Sequence, residues 1–92
     1  MYRIIDERGT GKTSRLMLIA KENDATFVCW NPNAFRYKAN KYGITGVDFI
    51  SYKQFLENKE KIQRYVIDEV ELFLEYIAQN NTLIGYTLSV DK

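Results

Sequence analysis

The chain has 92 residues, enough for one domain (residues 1–92) and one small hydrophobic core. Its composition, 46% hydrophobic and 27% charged, is typical of a globular protein and excludes disordered and collagen-like classes. The 13 basic and 12 acidic residues nearly balance, so net charge indicates neither a nucleic acid nor a membrane surface as partner.

The rare residue types exclude several chemistries. The sequence has no histidine, which removes histidine-based catalysis and histidine-ligated zinc. Its single cysteine, Cys29, excludes a disulfide framework and a cysteine-rich metal site. No apolar run approaches the roughly 20 residues of a membrane span, and no leader pattern opens the chain. We therefore expect a cytoplasmic protein.

Apolar runs alternate with helical patterns along the chain. The sequence predicts strands at Tyr2–Asp6, Ala25–Trp30, Val47–Ser51, Arg64–Glu69 and Thr82–Val90. It predicts helices at Thr13–Glu22, at Ala34–Tyr42, from a cap at Ser51 through Asn58, and from Val70 through Ala78. This alternation predicts an α/β protein, a three-layer α/β/α sandwich with a mainly parallel five-stranded sheet.

A glycine-rich segment lies between the first predicted strand and the first predicted helix. Backbone amides beside glycines, together with a helix N-terminus, bind phosphate oxygens. At this spacing Lys12 would reach the β- and γ-phosphates, and the Thr13 hydroxyl would ligate Mg²⁺. The predicted phosphate-binding residues are Arg8, Gly9, Thr10, Gly11, Lys12, Thr13 and Ser14.

The full phosphate-loop pattern, G-x-x-x-x-G-K-[ST], has glycine where this chain has Asp6. Aspartate adopts positive φ more readily than most residues, so we expect the bend to persist. Its carboxylate would repel a triphosphate unless Arg8 or a metal ion offsets the charge. The alternative is a strand-to-helix turn in which Lys12 is incidental. Because residues and context agree, we favour the phosphate loop.

Two acidic residues, Asp68 and Glu69, end the fourth predicted strand. The carboxyl ends of parallel strands meet at the edge of a sheet where ligands bind, so this pair would lie beside the phosphate loop. We expect Asp68 to hold Mg²⁺ through water and Glu69 to act as general base toward an attacking water. The alternative is a strand that ends in solvated carboxylates.

The segments Arg8–Thr13 and Val66–Glu69 resemble the Walker A and Walker B elements of P-loop ATPases. The acidic pair resembles the branch of that class with an additional catalytic glutamate. The order of elements is similar to the first RecA-like domain of superfamily one and two helicases and to the ATPase of phage large terminases. The resemblance implies ATP and Mg²⁺ as ligands and a role in replication, recombination or packaging of DNA. It also implies a phage protein in the host cytoplasm.

The second predicted helix is basic and aromatic. Its cations Arg36, Lys38 and Lys41 are interleaved with Phe35, Tyr37 and Tyr42, a pattern that can hold a DNA backbone and stack bases. An ordinary solvated helix whose aromatic residues pack on the sheet explains the same pattern, and we favour that explanation.

Catalysis in related ATPases uses a positive charge that reaches the γ-phosphate from across a cleft. The sequence shows no second domain that could supply this charge, so we expect a partner protein or self-association to complete the site. Two further functions stay open. One is a nucleotide-binding regulatory module without significant turnover, and the other is an interaction protein that kept the fold and lost the site.

Overall fold

The structure, a computed structural model, describes Ile4, residues 11–79, Ile84, Gly85 and Thr87. These residues form α1 at Lys12–Glu22, β1 at Thr26–Cys29, α2 at Pro32–Lys41, β2 at Phe49–Ser51, α3 at Tyr52–Asn58, β3 at Tyr65–Ile67 and α4 at Val70–Ile77, with a 3-10 turn at Lys59–Lys61. Each of these helices and strands lies on a segment for which the sequence predicts the same type of element. None of the described helices has the length and apolarity to cross a membrane.

The three strands form one parallel sheet in the order β2-β1-β3. Phe27 of the central strand pairs with Phe49 of β2 on one side and with Val66 of β3 on the other. Parallel neighbours need crossover connections, and here α2 links β1 to β2 while α3 lies between β2 and β3. All three strands therefore present their carboxyl ends at one edge of the sheet.

The prediction of a five-stranded sheet is wrong, because the sheet of the structure has three strands. The two additional strands were predicted at Tyr2–Asp6 and Thr82–Val90. Most residues of both segments lie outside the described ones, and Ile4, Ile84, Gly85 and Thr87 are not in strands. Ile84 is 96% exposed, whereas an isoleucine in a covered sheet would be buried. The β-branched and aromatic composition of the last segment indicates strand propensity, but propensity alone does not decide whether a segment joins a sheet.

Helices cover both faces of the sheet. Alternate residues of a strand point to opposite faces, so Phe27 and Val28 of β1 belong to different core clusters. The first cluster contains Phe27 with Met17 and Ala20 of α1 and Ala39 of α2, and the second contains Val28 with Tyr52 and Phe55 of α3 and Phe73 of α4. Strand β1 is buried on both sides, and each large apolar side chain in it contributes about 1.5–3 kcal/mol by leaving water.

The ends of the helices follow from local chemistry. The side chain of Asn31 accepts a hydrogen bond from the Ala34 amide at 3.2 Å, which caps α2, and Pro32 occupies the first turn. Helix α2 ends before Gly43, whose φ of 71° favours glycine.

Helix α3 begins with a capping box in which Ser51 accepts from the Gln54 amide at 3.1 Å and the Gln54 side chain accepts from the Ser51 amide at 2.8 Å. The spacing of Ser51 and Gln54 in the sequence predicts this box correctly.

Replacing Ser51 by alanine is expected to lower the free energy of unfolding by about 1 kcal/mol, because the Gln54 amide loses its acceptor. Urea unfolding followed by circular dichroism measures the change. Ser51→Thr is the matched control, since threonine also caps helices, and it should lie much closer to the wild type. Equal stability of Ser51→Ala and the wild type would contradict a stabilising role for the box.

Candidate functional site

The structure describes residues 11–14 of the glycine-rich segment, and these residues form the N-terminus of α1. Gly11 immediately precedes the helix with a φ of 78° and a ψ of 22°, a left-handed conformation that glycine adopts without strain. A backbone turn of this kind directs the free amides of the first helical turn outward, toward any anion at the helix end. Lys12, Thr13 and Ser14 form that first turn.

One hydrogen bond joins this turn to the end of β3. The Thr13 hydroxyl donates to Oδ1 of Asp68 at 3.3 Å, across 55 positions of sequence. Residues of the two predicted motifs are thus adjacent in space. A hydroxyl oxygen and a carboxylate oxygen at this separation are both hard donors of the kind that Mg²⁺ prefers.

An open cleft of about 380 Å³ lies over this contact. Gly11, Lys12, Thr13 and Ser14 line it from α1, Glu69 and Leu72 from the start of α4, and Lys38 and Tyr42 from the end of α2. Its walls therefore come from three different helices. The cleft combines two lysines, three hydroxyl groups and one carboxylate with an aromatic ring and a leucine, which suits a ligand with an anionic part and a less polar part.

Asp68 is a buried carboxyl group, only 9% exposed. Burial and the neighbouring charge of Glu69 raise its pKa above the ordinary value, while the hydrogen bond from Thr13 and the charges of Lys38 and Lys12 act in the opposite direction. The ionised form is therefore less stable than it would be in water. A cation bound beside Asp68 would relieve this cost.

The fit of Mg²⁺ depends on which donors the protein supplies. Among the described residues, no group of three or more histidine, cysteine, aspartate or glutamate side chains is placed to hold a metal ion. Thr13 and Asp68 supply two oxygen donors, and Mg²⁺ in nucleotide sites takes its other ligands from phosphates and water. The residues present fit a magnesium ion that arrives with a nucleotide, and they do not form a cage for a free ion.

Glu69 is held in an unusual backbone conformation. Its φ is 56° and its ψ is 68°, in the left-handed region that costs a residue with a side chain roughly 1–2 kcal/mol. The turn places Glu69 between the end of β3 and the first residue of α4, with its side chain on the wall of the cleft. The same junction keeps Asp68 buried and Glu69 exposed, so two neighbouring carboxyl groups have different environments.

Tyr52 supports this junction from below. Its hydroxyl lies 2.9 Å from the carbonyl oxygen of Asp68 and 3.3 Å from that of Glu69, and it donates toward both. The side chain is 1% exposed and packs against Phe73 and Tyr76 of α4. Burial and the charge of Asp68 raise the pKa of the Tyr52 phenol, so the hydroxyl keeps its proton and remains a donor.

The structure places the described part of the predicted site around one cleft. Gly11, Lys12, Thr13 and Ser14 line it together with Glu69, and Asp68 contacts Thr13. Arg8, Gly9 and Thr10, and also Asp6, lie outside the described residues. The roles assigned to these residues in binding and catalysis stay predictions.

The three cations considered as possible DNA contacts have different surroundings. Arg36 donates to the side-chain oxygen of Asn33 at 2.7 Å and to the carbonyl oxygen of Phe49 at 2.9 Å, which ties α2 to β2. Lys41 lies over the ring of Tyr37, with Nζ 5.2 Å from the centroid. Lys38 lines the cleft.

Sequence reasoning missed Tyr52 and assigned Lys38 to a different surface. Tyr52 directly follows β2 and therefore lies at the sheet edge where Asp68 follows β3. That topological position is a signal, because the strand ends of a parallel sheet meet there. Lys38 carries no comparable signal, since a short helix with cations on several sides does not reveal which side faces a ligand.

Comparisons with known proteins supply no assignment for this site. A scan against family models and searches of curated proteins and of solved structures found no significant match to the chain. The chemistry of the site is therefore argued from its own geometry.

Replacing Asp68 by asparagine is expected to raise the free energy of unfolding of the ligand-free protein by about 0.5–2 kcal/mol near neutral pH. The substitution removes a buried charge, and the asparagine oxygen still accepts from Thr13. Folding raises the pKa of Asp68, so deprotonation costs more free energy in the folded state than in the unfolded state. The free energy of unfolding of the wild type therefore falls as the pH rises from the ordinary pKa of 3.8 through the raised pKa.

Urea unfolding of both proteins over a series of pH values measures the effect. The difference in free energy of unfolding between Asp68→Asn and the wild type should be smallest below about pH 4, where Asp68 becomes protonated in the folded and the unfolded state alike. It should grow as the pH rises. Asp48→Asn, at an exposed position before β2, is the matched control. A variant less stable than the wild type at pH 8 would show that the carboxylate stabilises the fold.

Proposed function

We propose that the chain binds Mg·ATP in the cleft between α1, α2 and α4 and hydrolyses it. The observation that carries the proposal is the hydrogen bond between Thr13 and Asp68, which brings the glycine-lysine-threonine turn and the acidic strand end to one site. The turn has the chemistry of a phosphate loop, and the acidic pair has the chemistry of a magnesium ligand beside a general base.

Binding rests on the first turn of α1. Backbone amides after Gly11 donate to phosphate oxygens, and the helix dipole adds positive potential at the same place. The Lys12 ammonium lies on the wall of the cleft, where it neutralises the charge of the β- and γ-phosphates. Thr13 and Asp68 hold the magnesium ion, which when bound supplies positive charge to the phosphate oxygens.

Hydrolysis rests on Glu69. Its carboxylate accepts a proton from a water molecule as the water oxygen forms a bond to the γ-phosphorus and the bond from that phosphorus to the bridging oxygen breaks. The left-handed backbone of Glu69 holds the side chain at the cleft, and Tyr52 fixes the carbonyl groups on either side of the turn. The neighbouring Asp68 is buried against Thr13 and is less accessible to water.

A role in DNA transactions remains a proposal that rests on the resemblance to helicases and terminases. Helix α2 gives little support to DNA binding, because the Arg36 guanidinium already donates hydrogen bonds to the Asn33 side chain and to the Phe49 carbonyl group. Phosphate release measured with and without single-stranded and duplex DNA tests this part separately from ATP binding.

Replacing Lys12 by alanine is expected to weaken Mg·ATP binding by about 1.5–3 kcal/mol, the size of a charge-assisted hydrogen bond. Isothermal titration calorimetry measures the affinity. Lys21→Ala is the matched control, because Lys21 is exposed in the last turn of the same helix and should leave binding unchanged. If Lys12→Ala and the wild type bind equally, the nucleotide does not occupy this turn.

Replacing Glu69 by glutamine is expected to retain nucleotide binding and to slow phosphate release by about 10²–10⁴-fold, because the amide cannot accept the proton from water. Glu75→Gln, an exposed position on the same helix, serves as the control. Unchanged turnover in Glu69→Gln would remove Glu69 as the base. Tight binding without phosphate release in the wild type would instead favour a regulatory nucleotide-binding module.

A further inference from the structure

Helix α2 contributes a wall of the cleft that the two motifs do not account for. Lys38 and Tyr42 are four positions apart, at the spacing that places side chains on the same side of a helix, and both line the cleft. Glu69 and Leu72 of α4 line the same cleft. The phosphate loop thus has a cation on its own helix, Lys12, and a second cation on a different helix.

The Lys38 ammonium lies 4.9 Å from the centroid of the Phe35 ring, and Phe35 packs against the core beside Phe27. Phe35 therefore holds the ammonium group beside the core, while the Lys38 side chain as a whole stays exposed.

The other cations of α2 differ from Lys38 in their position relative to the cleft. Arg36 is bound to Asn33 and to the carbonyl group of Phe49. Lys41 lies over the ring of Tyr37, as Lys38 lies over that of Phe35. Neither Arg36 nor Lys41 lines the part of the cleft that the structure describes. The position of Lys38 is thus a property of that residue and does not result from a generally basic helix.

We infer that Lys38 binds the terminal phosphate of a nucleoside triphosphate held in the same chain, and that it thereby selects the triphosphate over the diphosphate. This inference rests on the proposed function. The first turn of α1 and Lys12 contact phosphate groups that a diphosphate partly retains. Lys38 reaches the same cleft from a different helix, where it can meet the end of a longer ligand. A lysine ammonium suits this role, because it is a compact charge on a flexible stem that can follow a mobile phosphate.

The same contact bears on catalysis. Negative charge on the γ-phosphoryl group must be neutralised as the bond to the leaving oxygen breaks, and in related ATPases a cation from outside the nucleotide-binding domain does this. Lys38 supplies that cation within the chain. A partner protein is then not needed to bring a positive charge to the terminal phosphate.

The test compares two ligands in four proteins. Isothermal titration calorimetry measures the affinity of Mg·ADP and of a non-hydrolysable ATP analogue with an imido bridge for the wild type, Lys38→Ala, Lys38→Arg and Lys41→Ala. Lys38→Ala should weaken the analogue about 10- to 100-fold and leave ADP unchanged, which is the loss of one charge-assisted contact. Lys38→Arg should restore most of the preference, and Lys41→Ala should bind both ligands like the wild type.

Each other result overturns the inference in a distinguishable way. Suppose that Lys12→Ala no longer binds nucleotide, whereas Lys38→Ala binds both ligands as the wild type does or binds both with equally reduced affinity. Lys38 then does not select the terminal phosphate, and the proposed function stands. If the wild type binds neither ligand, both proposals fall. Thermal unfolding of each variant checks that the exposed substitution leaves the fold intact, and failure of a folded Lys38→Arg to restore the preference counts against the role of the charge.

Discussion

The hydrogen bond between Thr13 and Asp68 is the contact on which the rest of the site depends. It joins the first turn of α1 to the end of β3, two groups that are 55 positions apart in the sequence and meet only when the chain folds. Met17 and Ala20 of α1 pack in the core, and this packing sets the position of the helix relative to the sheet. The hydrogen bond forms between groups that apolar packing has brought close together. Its geometry is therefore stabilised by burial far from the cleft.

The acidic side of the cleft is held by a different part of the core. Tyr52, Phe55 and Phe73 belong to the cluster on the opposite face of the sheet from Met17. The Tyr52 hydroxyl reaches from this cluster to the carbonyl groups of the strained turn at Glu69. The two halves of the site are thus supported by separate halves of the core, with β1 between them.

The sequence predicts much of this arrangement, for identifiable physical reasons. Short apolar runs, the capping box at Ser51 and the glycine before Lys12 are local signals, and the structure has the expected elements at each. The number of strands depends on long-range packing, which strand propensity does not encode, and the described residues form a sheet of three strands, not five. The direction of Lys38 depends on how α2 rests on the sheet through Phe35 and Ala39, which no local pattern encodes.

The position of Tyr52 couples the accuracy of strand pairing to the chemistry of the site. Helix α3 starts at the residue after β2, with no loop between them to absorb an error. A slip of β2 by one residue against β1 would turn Phe49 away from its core cluster and would carry Tyr52 away from the Asp68 carbonyl. A mispaired chain would then lose the hydroxyl group that supports the turn at Glu69 in the same event that damages its core. Correct strand pairing and the shape of the cleft are therefore obtained, or lost, together.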